Sequence, residues 1–426
     1  MNNSGTIESY IDNYFQTLTG GVGGSVNFQS GSHFVNYATI TNNGPLTNNR
    51  TLTNNGTLTF ANGSTFDNTD GTLNNSGTIE SHIDDRYFGA GGTLNFQSGS
   101  NYVNHATITN NAGSTLTNAH TLTNDGTLNN NLRGTLANKG TLTNNGTLNN
   151  DFTLNNRGRL TNDGTLNNHN TLNNYGTLAN QGTLNNWYNI SNNNTLTNQG
   201  TLTNNDGFLS NSGTLVNQGT LTNDGRLKNR KDGTLTNDGT LENRQDGTLT
   251  NDGTIDTTNG TFTNYGTKTG SGRIEGSYID HGHTRPGNSA GVMTINGDYF
   301  KVGGSKEIEL GGHFHGDGDK SLTEFDWLDV TGNVELAGTL DVKLIDGFKL
   351  HRGNVFNFLR VGGTLTGQYD GLGEGDLVRN FGGQGLFITY GGGDGNDVAL
   401  YTVPEPATLL LALLAMTAVP LRVRCG

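Results

Sequence analysis

At 426 residues the chain has room for several domains, but only 31% of it is apolar, Gly alone contributes 66 residues, and 24 Lys+Arg against 37 Asp+Glu leave a net charge of −13. That balance excludes a basic nucleic-acid-binding surface, and five prolines exclude a proline-rich linker or collagen-like rod. Cys425 is the single cysteine, which excludes a disulfide framework and a cysteine-built zinc site.

Residues 1–120 carry a long duplication. NNSGTIES occurs at Asn2 and Asn74, NFQSGS at Asn27 and Asn95, and FVNYATITNN at Phe34 matches YVNHATITNN at Tyr102. The offsets differ by four residues, as expected of a duplicated structural unit with one tolerant loop. Met1 falls in the apolar slot that Leu73 takes in the second copy, so the chain is expected to begin inside a repeat, with a signal peptide and further repeats upstream.

Residues 121–266 shrink to a hexad, T-L-x-N-x-G. Leu136, Leu142, Leu148, Leu154, Leu160, Leu166, Leu172, Leu178, Leu184, Ile190, Leu196 and Leu202 keep a strict spacing of six, and Asn follows two residues after each. Six is a multiple of two and not of 3.6, so an extended chain lines Leu, Asn and Gly on one side, whereas a helix would smear them around its circumference. The pattern predicts an all-β parallel solenoid: each hexad a short strand and a corner, Leu and Asn inward, two or three hexads per coil, and coils stacked like over like through backbone hydrogen bonds and Asn ladders. Asn and Gly are expected to bend the corners through left-handed backbone angles. Insertions at Leu132-Arg133, Arg230 to Gly233 and Arg244 to Gly247 should bulge there, and the 14-residue spacing of Thr220, Thr234 and Thr248 leaves the coil size open.

These repeats resemble those of filamentous-haemagglutinin-like adhesins and autotransporter passengers, which implies a right-handed β-helix. They resemble in part the left-handed hexapeptide helices of acyltransferases, from which Thr or Asn after the aliphatic residue departs; the right hand is favoured.

Residues 267–402 exchange hexads for alternating strands at Val292, Lys306, Leu328, Asn354, Leu386 and Asp397, separated by Gly-rich turns. Pro286 to Ile295, PGNSAGVMTI, resembles the PGxSPGxLTI motif that leads the terminal passenger region of autotransporter-like and many PEP-CTERM proteins, and the region is expected to cap the solenoid. His281 and His283, and His313 and His315 near Asp317 and Asp319, form H-x-H pairs that a metal site would need on one face; exposed loop histidines are the expected reading, and no metal or cofactor is assigned. GGDGNDVAL at Gly392 matches a calcium-binding nonapeptide in a single copy, with Ala399 in the large apolar slot, and is read as a strand-edge turn. No Ser-His-Asp or paired-carboxylate constellation can be placed, so no catalytic residue is assigned and the chain is not expected to be an enzyme.

Residues 403–426 run from Val403 through Pro404, Glu405 and Pro406 into the apolar stretch 407–421, then Arg422 and Arg424. The stretch is shorter than the ~20 residues of a spanning helix, and terminal cations would hold its end in the cytoplasm. This order resembles the PEP-CTERM sorting signal, with Arg-Val-Arg where the family carries a longer Arg run. The resemblance implies an exported protein, a short apolar C-terminal helix in transient contact with the inner membrane, and removal of the tail by an exosortase-type membrane protease. The function expected is a structural or adhesive protein of the cell envelope or exopolysaccharide matrix that meets extracellular glycans or neighbouring cells. Two alternatives of other classes stay open: ice binding by outward Thr arrays, and a secreted polysaccharide lyase on a β-helix.

Overall fold

A computed structural model describes residues 33–403 with short interruptions, chiefly 82–92, and backbone strand segments at 2–3, 7–9, 18–20 and 26–28; Pro404 to Gly426 lie outside the described residues. The chain divides into two compact units, residues 1–268 with 272–276, and residues 269–271 with 277–426. A three-residue 3-10 turn at Lys320–Leu322 is the only helical element among the described residues, and no described helix is long and apolar enough to cross a membrane.

The first unit is a parallel β-solenoid of about twelve turns. Each hexad supplies a four-residue strand, T-L-x-N, and a two-residue corner, and three strands make one coil. One coil, for example, consists of Thr153–Asn156, Arg159–Asn162 and Thr165–Asn168. The next coil stacks on it in register, Leu154 beside Leu172, Leu160 beside Leu178 and Leu166 beside Leu184. We call the three sheets the first, second and third faces, carrying Thr165–Asn168, Thr153–Asn156 and Arg159–Asn162 respectively. Partners on a face lie 18 residues apart here, 19 to 22 apart where corners are enlarged, and 29 apart between Asn75 and Asn104. The 14-residue spacing is thereby resolved: Thr220, Thr234 and Thr248 open strands on three different faces, each step covering two strands and one enlarged corner. The long duplication equals three coils, since Phe34 stacks through Leu52 and Leu73 to Tyr102.

Inside, every Leu slot from Leu116 to Leu249 is buried, and so is every Asn two residues on. A buried amide without partners is costly, and the stacking answers this. Asn144 Nδ2 donates to Asn162 Oδ1 at 2.7 Å and to the Thr165 carbonyl at 2.9 Å; Asn162 repeats both bonds to Asn180 and Thr183. On the third face the ladder runs unbroken from Asn36 through Asn54, Asn75, Asn104 and Asn124 to Asn237. In the earlier coils Phe60, Ser81 and Phe96 replace Asn. There the filling is aromatic, with Phe60 against Phe66 at 5.4 Å and Phe96 stacked on Tyr102 at 3.4 Å between ring centroids.

The corner glycines serve a purpose the sequence did not suggest. No glycine from Gly134 to Gly266 adopts a positive φ. Instead, a Cβ on Gly158, Gly176 or Gly182 would stand 2.0–2.1 Å from the glycine carbonyl oxygen one coil below. Close approach of backbone, not a left-handed bend, fixes glycine there. Among the described non-glycine residues of the first unit, Arg133 alone has a left-handed angle, φ 66°, inside the Asn131 to Gly134 bulge.

The second unit keeps three-sided parallel stacking with longer strands and wider turns. Tyr278–Asp280, Tyr299–Lys301, Val334–Leu336 and Leu365–Gly367 form one side. His283–Thr284, Ser305–Leu310 and Thr339–Leu344 form another, and Val292–Asn296, Trp327–Val330 and Val355–Val361 the third. The stacking then ends: Val355–Val361 pairs antiparallel with Asp397–Tyr401, which pairs with Gln384–Gly392, which pairs with Leu377–Phe381. An antiparallel meander thus occupies a strand edge that parallel stacking would leave open.

Two substitutions test this account by urea unfolding followed by circular dichroism. Asn162→Ala strands the Asn144 amide and the Asn180 side of the ladder and should cost about 2–4 kcal/mol. Gly176→Ala, with its Cβ 2.1 Å from the Gly158 oxygen, should cost at least ~1–3 kcal/mol, whereas Asn170→Ala, in a corner without glycine, should cost far less.

Candidate functional surface

Outward positions of the first unit are residues one and three of each strand, and the three faces differ. On the first face, position one is Thr in twelve successive coils: Thr39, Thr57, Thr78, Thr107, Thr127, Thr147, Thr165, Thr183, Thr201, Thr220, Thr240 and Thr261. Position three holds Asn129, Asn149, Asn167 and Asn185, a second, outer amide ladder with bonds of 2.9, 2.9 and 3.0 Å. Asn189, Phe208 and Arg226 interrupt the Thr rank on the second face, and Asn101 and Arg159 on the third. The sequence by itself does not separate the faces, because the coil size that assigns each Thr to a face is not a local property of the hexad. Exposed aromatics also gather: Trp187 and Tyr188 are 40% and 60% exposed in one corner, where the preceding coils place Phe152 and His169.

The histidine pairs do not converge on a metal site, and among the described residues no three His, Cys, Asp or Glu side chains group as metal ligands. His283 Nδ1 lies 2.7 Å from Ser305 Oγ, and burial lowers its pKa. His313 stacks on Phe356 at 5.6 Å, and His315 lies 4.1 Å from the Trp327 ring. His313 is exposed on its loop while its ring lies on Phe356, and His315 is half-buried beside Trp327; Asp317 lies outside the described residues. The GGDGNDVAL segment turns between antiparallel strands through Gly393 and Gly395 at positive φ, and Asp397 Oδ1 accepts the Val361 N–H at 2.8 Å. Of the tail residues, Val403 is exposed after the strand ending at Tyr401; Pro404, Glu405, Pro406, Arg422 and Arg424 lie outside the described residues.

Two buried acidic centres in the second unit escaped sequence reading, since neither forms a local motif. Asp280 Oδ2 receives Lys301 Nζ at 2.8 Å, Tyr299 OH at 3.0 Å and Thr284 Oγ1 at 2.7 Å, with both Asp280 and Lys301 fully buried. Burial lowers the Lys301 pKa while Asp280 opposes the shift. Asp326 Oδ1 accepts the Gly291 N–H at 2.9 Å and Oδ2 the Glu309 N–H at 3.0 Å. It ties the Pro286 to Ile295 segment to Ser305–Leu310. Burial pushes its pKa up to about 8, against the pull of the Glu309 N–H bond.

No protein-family model matches the sequence, and no curated protein matches it significantly.

The Asp326 shift has a definite sign. Its folded pKa lies above the ~3.9 of an unfolded chain, so the stabilisation it lends is complete below pH ~4 and is lost as pH rises through about 8. Thermal unfolding of a Trp187→Phe variant, followed through buried Trp327, should fall in midpoint from pH 6 to 9, and adding Asp326→Asn should flatten that dependence. An equal slope in both would contradict the assignment.

Proposed function

We propose that the chain is an exported, non-enzymatic structural or adhesive protein of the cell envelope or exopolysaccharide matrix, delivered by a PEP-CTERM-like tail. The observation that carries this reading is the order Pro404-Glu405-Pro406, apolar 407–421, Arg422 and Arg424, which begins three residues after the last strand of the second unit. A tag that starts where a folded body stops can be reached and removed by an exosortase-type membrane protease without unfolding that body. The body suits a matrix role: a rigid stack of polar coils presents the same groups at every turn, and contacts weak singly become strong when multiplied. Expression in an exosortase-bearing bacterium, with an epitope after Gly426, tests it. The parent should lose the epitope and appear outside the cell; replacing Pro404, Glu405 and Pro406 by Ala should keep full-length protein in the inner membrane. Retention of the epitope by both would overturn the proposal.

A second reading, ice binding, is favoured by the unbroken Thr rank of the first face, whose hydroxyl and methyl groups repeat at the strand spacing of about 4.8 Å. The lyase alternative has no such observation in its favour among the described residues. If ice is the ligand, purified protein shows thermal hysteresis that Thr165→Tyr with Thr183→Tyr removes and Thr177→Tyr, on the third face, does not. Absence of hysteresis in the parent rejects this reading.

A further inference from the structure

The corner joining the first face to the second breaks the repeat in three consecutive coils. Most corners of the hexad coils end in Gly, and isolated ones such as Ala119-His120 and Asn193-Asn194 do not, but this one reads Asp151-Phe152, His169-Asn170 and Trp187-Tyr188 in succession, and the coil below adds Leu132, 62% exposed. At the glycine corners a Cβ would meet the carbonyl one coil beneath; here three successive coils on one corner depart from glycine together, and departures from a local structural rule concentrate at functional positions. The result is a column of rings in which His169, Trp187 and Tyr188 are exposed and Phe152 is half-buried. His169 Nδ1 donates to Asp151 Oδ1 at 2.7 Å, which fixes the imidazole, and the imidazole lies 4.7 Å from the Trp187 ring at an interplanar angle of 34°. Trp187 is thus braced from below while 40% of it stays exposed, and Tyr188 is 60% exposed.

We propose that this corner binds a neutral polysaccharide of hexopyranose units, which lies along the column with its C–H faces on Trp187, Tyr188 and Phe152 and its hydroxyls on Asp151 and Asn170. Three features select this chemistry. The coil spacing of about 4.8 Å is close to the length of one hexopyranose unit, so successive rings meet successive sugars. Part of the corner backbone is engaged within the stack: the N–H groups of Asp151, His169, Thr171, Trp187 and Asn189 donate to the carbonyls of Asn130, Asn150, Phe152, Asn168 and Asn170. A sugar, which stacks on rings and bonds to side chains, does not depend on main-chain partners. The Asp151 carboxylate and the net charge of −13 disfavour an anionic polymer. The proposal deepens the matrix reading by naming what the rod holds.

Affinity electrophoresis of the full-length protein through gels containing hydroxyethyl cellulose or alginate tests it, independently of tail processing. Hydroxyethyl cellulose should retard the parent, and Trp187→Ala and Tyr188→Ala should each weaken retardation about tenfold with unchanged circular dichroism. Titration with cellohexaose should quench Trp187 fluorescence in a Trp327→Phe background, which reads the same site without a truncation variant. Retardation by alginate alone, equal retardation of parent and variants, or no retardation by either polymer would overturn the proposal. So would dimerisation that Trp187→Ala abolishes without any polysaccharide binding, since the corner would then serve a second copy of the chain.

Discussion

The buried asparagine amide is the constraint on which the first unit turns. A thin coil cannot fill its interior with carbon alone when each hexad supplies one large apolar side chain. It therefore buries a second, polar side chain, and that side chain is tolerable only if both amide protons and the oxygen are matched. Asn144, bonded upward to Asn162 Oδ1 and to the Thr165 carbonyl, meets the condition because an identical residue sits directly above it. Register is thereby locked. A slip by one residue would place Thr over Asn and put unmatched amides inside, at a cost of about 1–3 kcal/mol for each. All inner amides of a ladder point the same way along the rod, so each bond polarises the next.

Much else follows from that stacking. Coils must approach at strand spacing, hence corners bring carbonyl over backbone, hence the repeated glycine. Insertions survive only at corners, as at Asn131 to Gly134 and Arg244 to Gly247, because a residue added within T-L-x-N would shift every amide above it. In the second unit the inward Asn is gone and the interior is larger and more varied. Tyr278, Tyr299 and Tyr369 fill it alongside the Asp280–Lys301 pair, and left-handed glycines such as Gly304 and Gly338 turn its wider corners.

How much of this was legible in the sequence depends on which residues carried the signal. The period of six identified strands, inward Leu and inward Asn, since each is a local consequence of chain geometry. The number of strands per coil was not local: Thr220, Thr234 and Thr248 share a spacing yet lie on three faces, and only stacking reveals it. Without the coil, the unbroken Thr rank and the column from Leu132 to Tyr188 remain scattered letters. The corner glycines were recognised as corners for the wrong reason, because the carbonyl that excludes a Cβ belongs to a residue 18 positions away. The alternating strands after Thr267 were readable, but their three-sided parallel arrangement was not, and His313 and His315 gave no sign of the aromatic neighbours that hold them. The tail is the reverse case, a motif readable in sequence with no described structure.

Hydrogen exchange of side-chain amides, measured by NMR on asparagine-labelled protein, tests the central claim most directly. The account predicts that Nδ2 protons of Asn144, Asn162 and Asn180 exchange orders of magnitude more slowly than those of the corner residues Asn145 and Asn193. Equal, rapid exchange of all of them would show that the inner amides are bonded to water and that the ladder, with the register it enforces, does not exist.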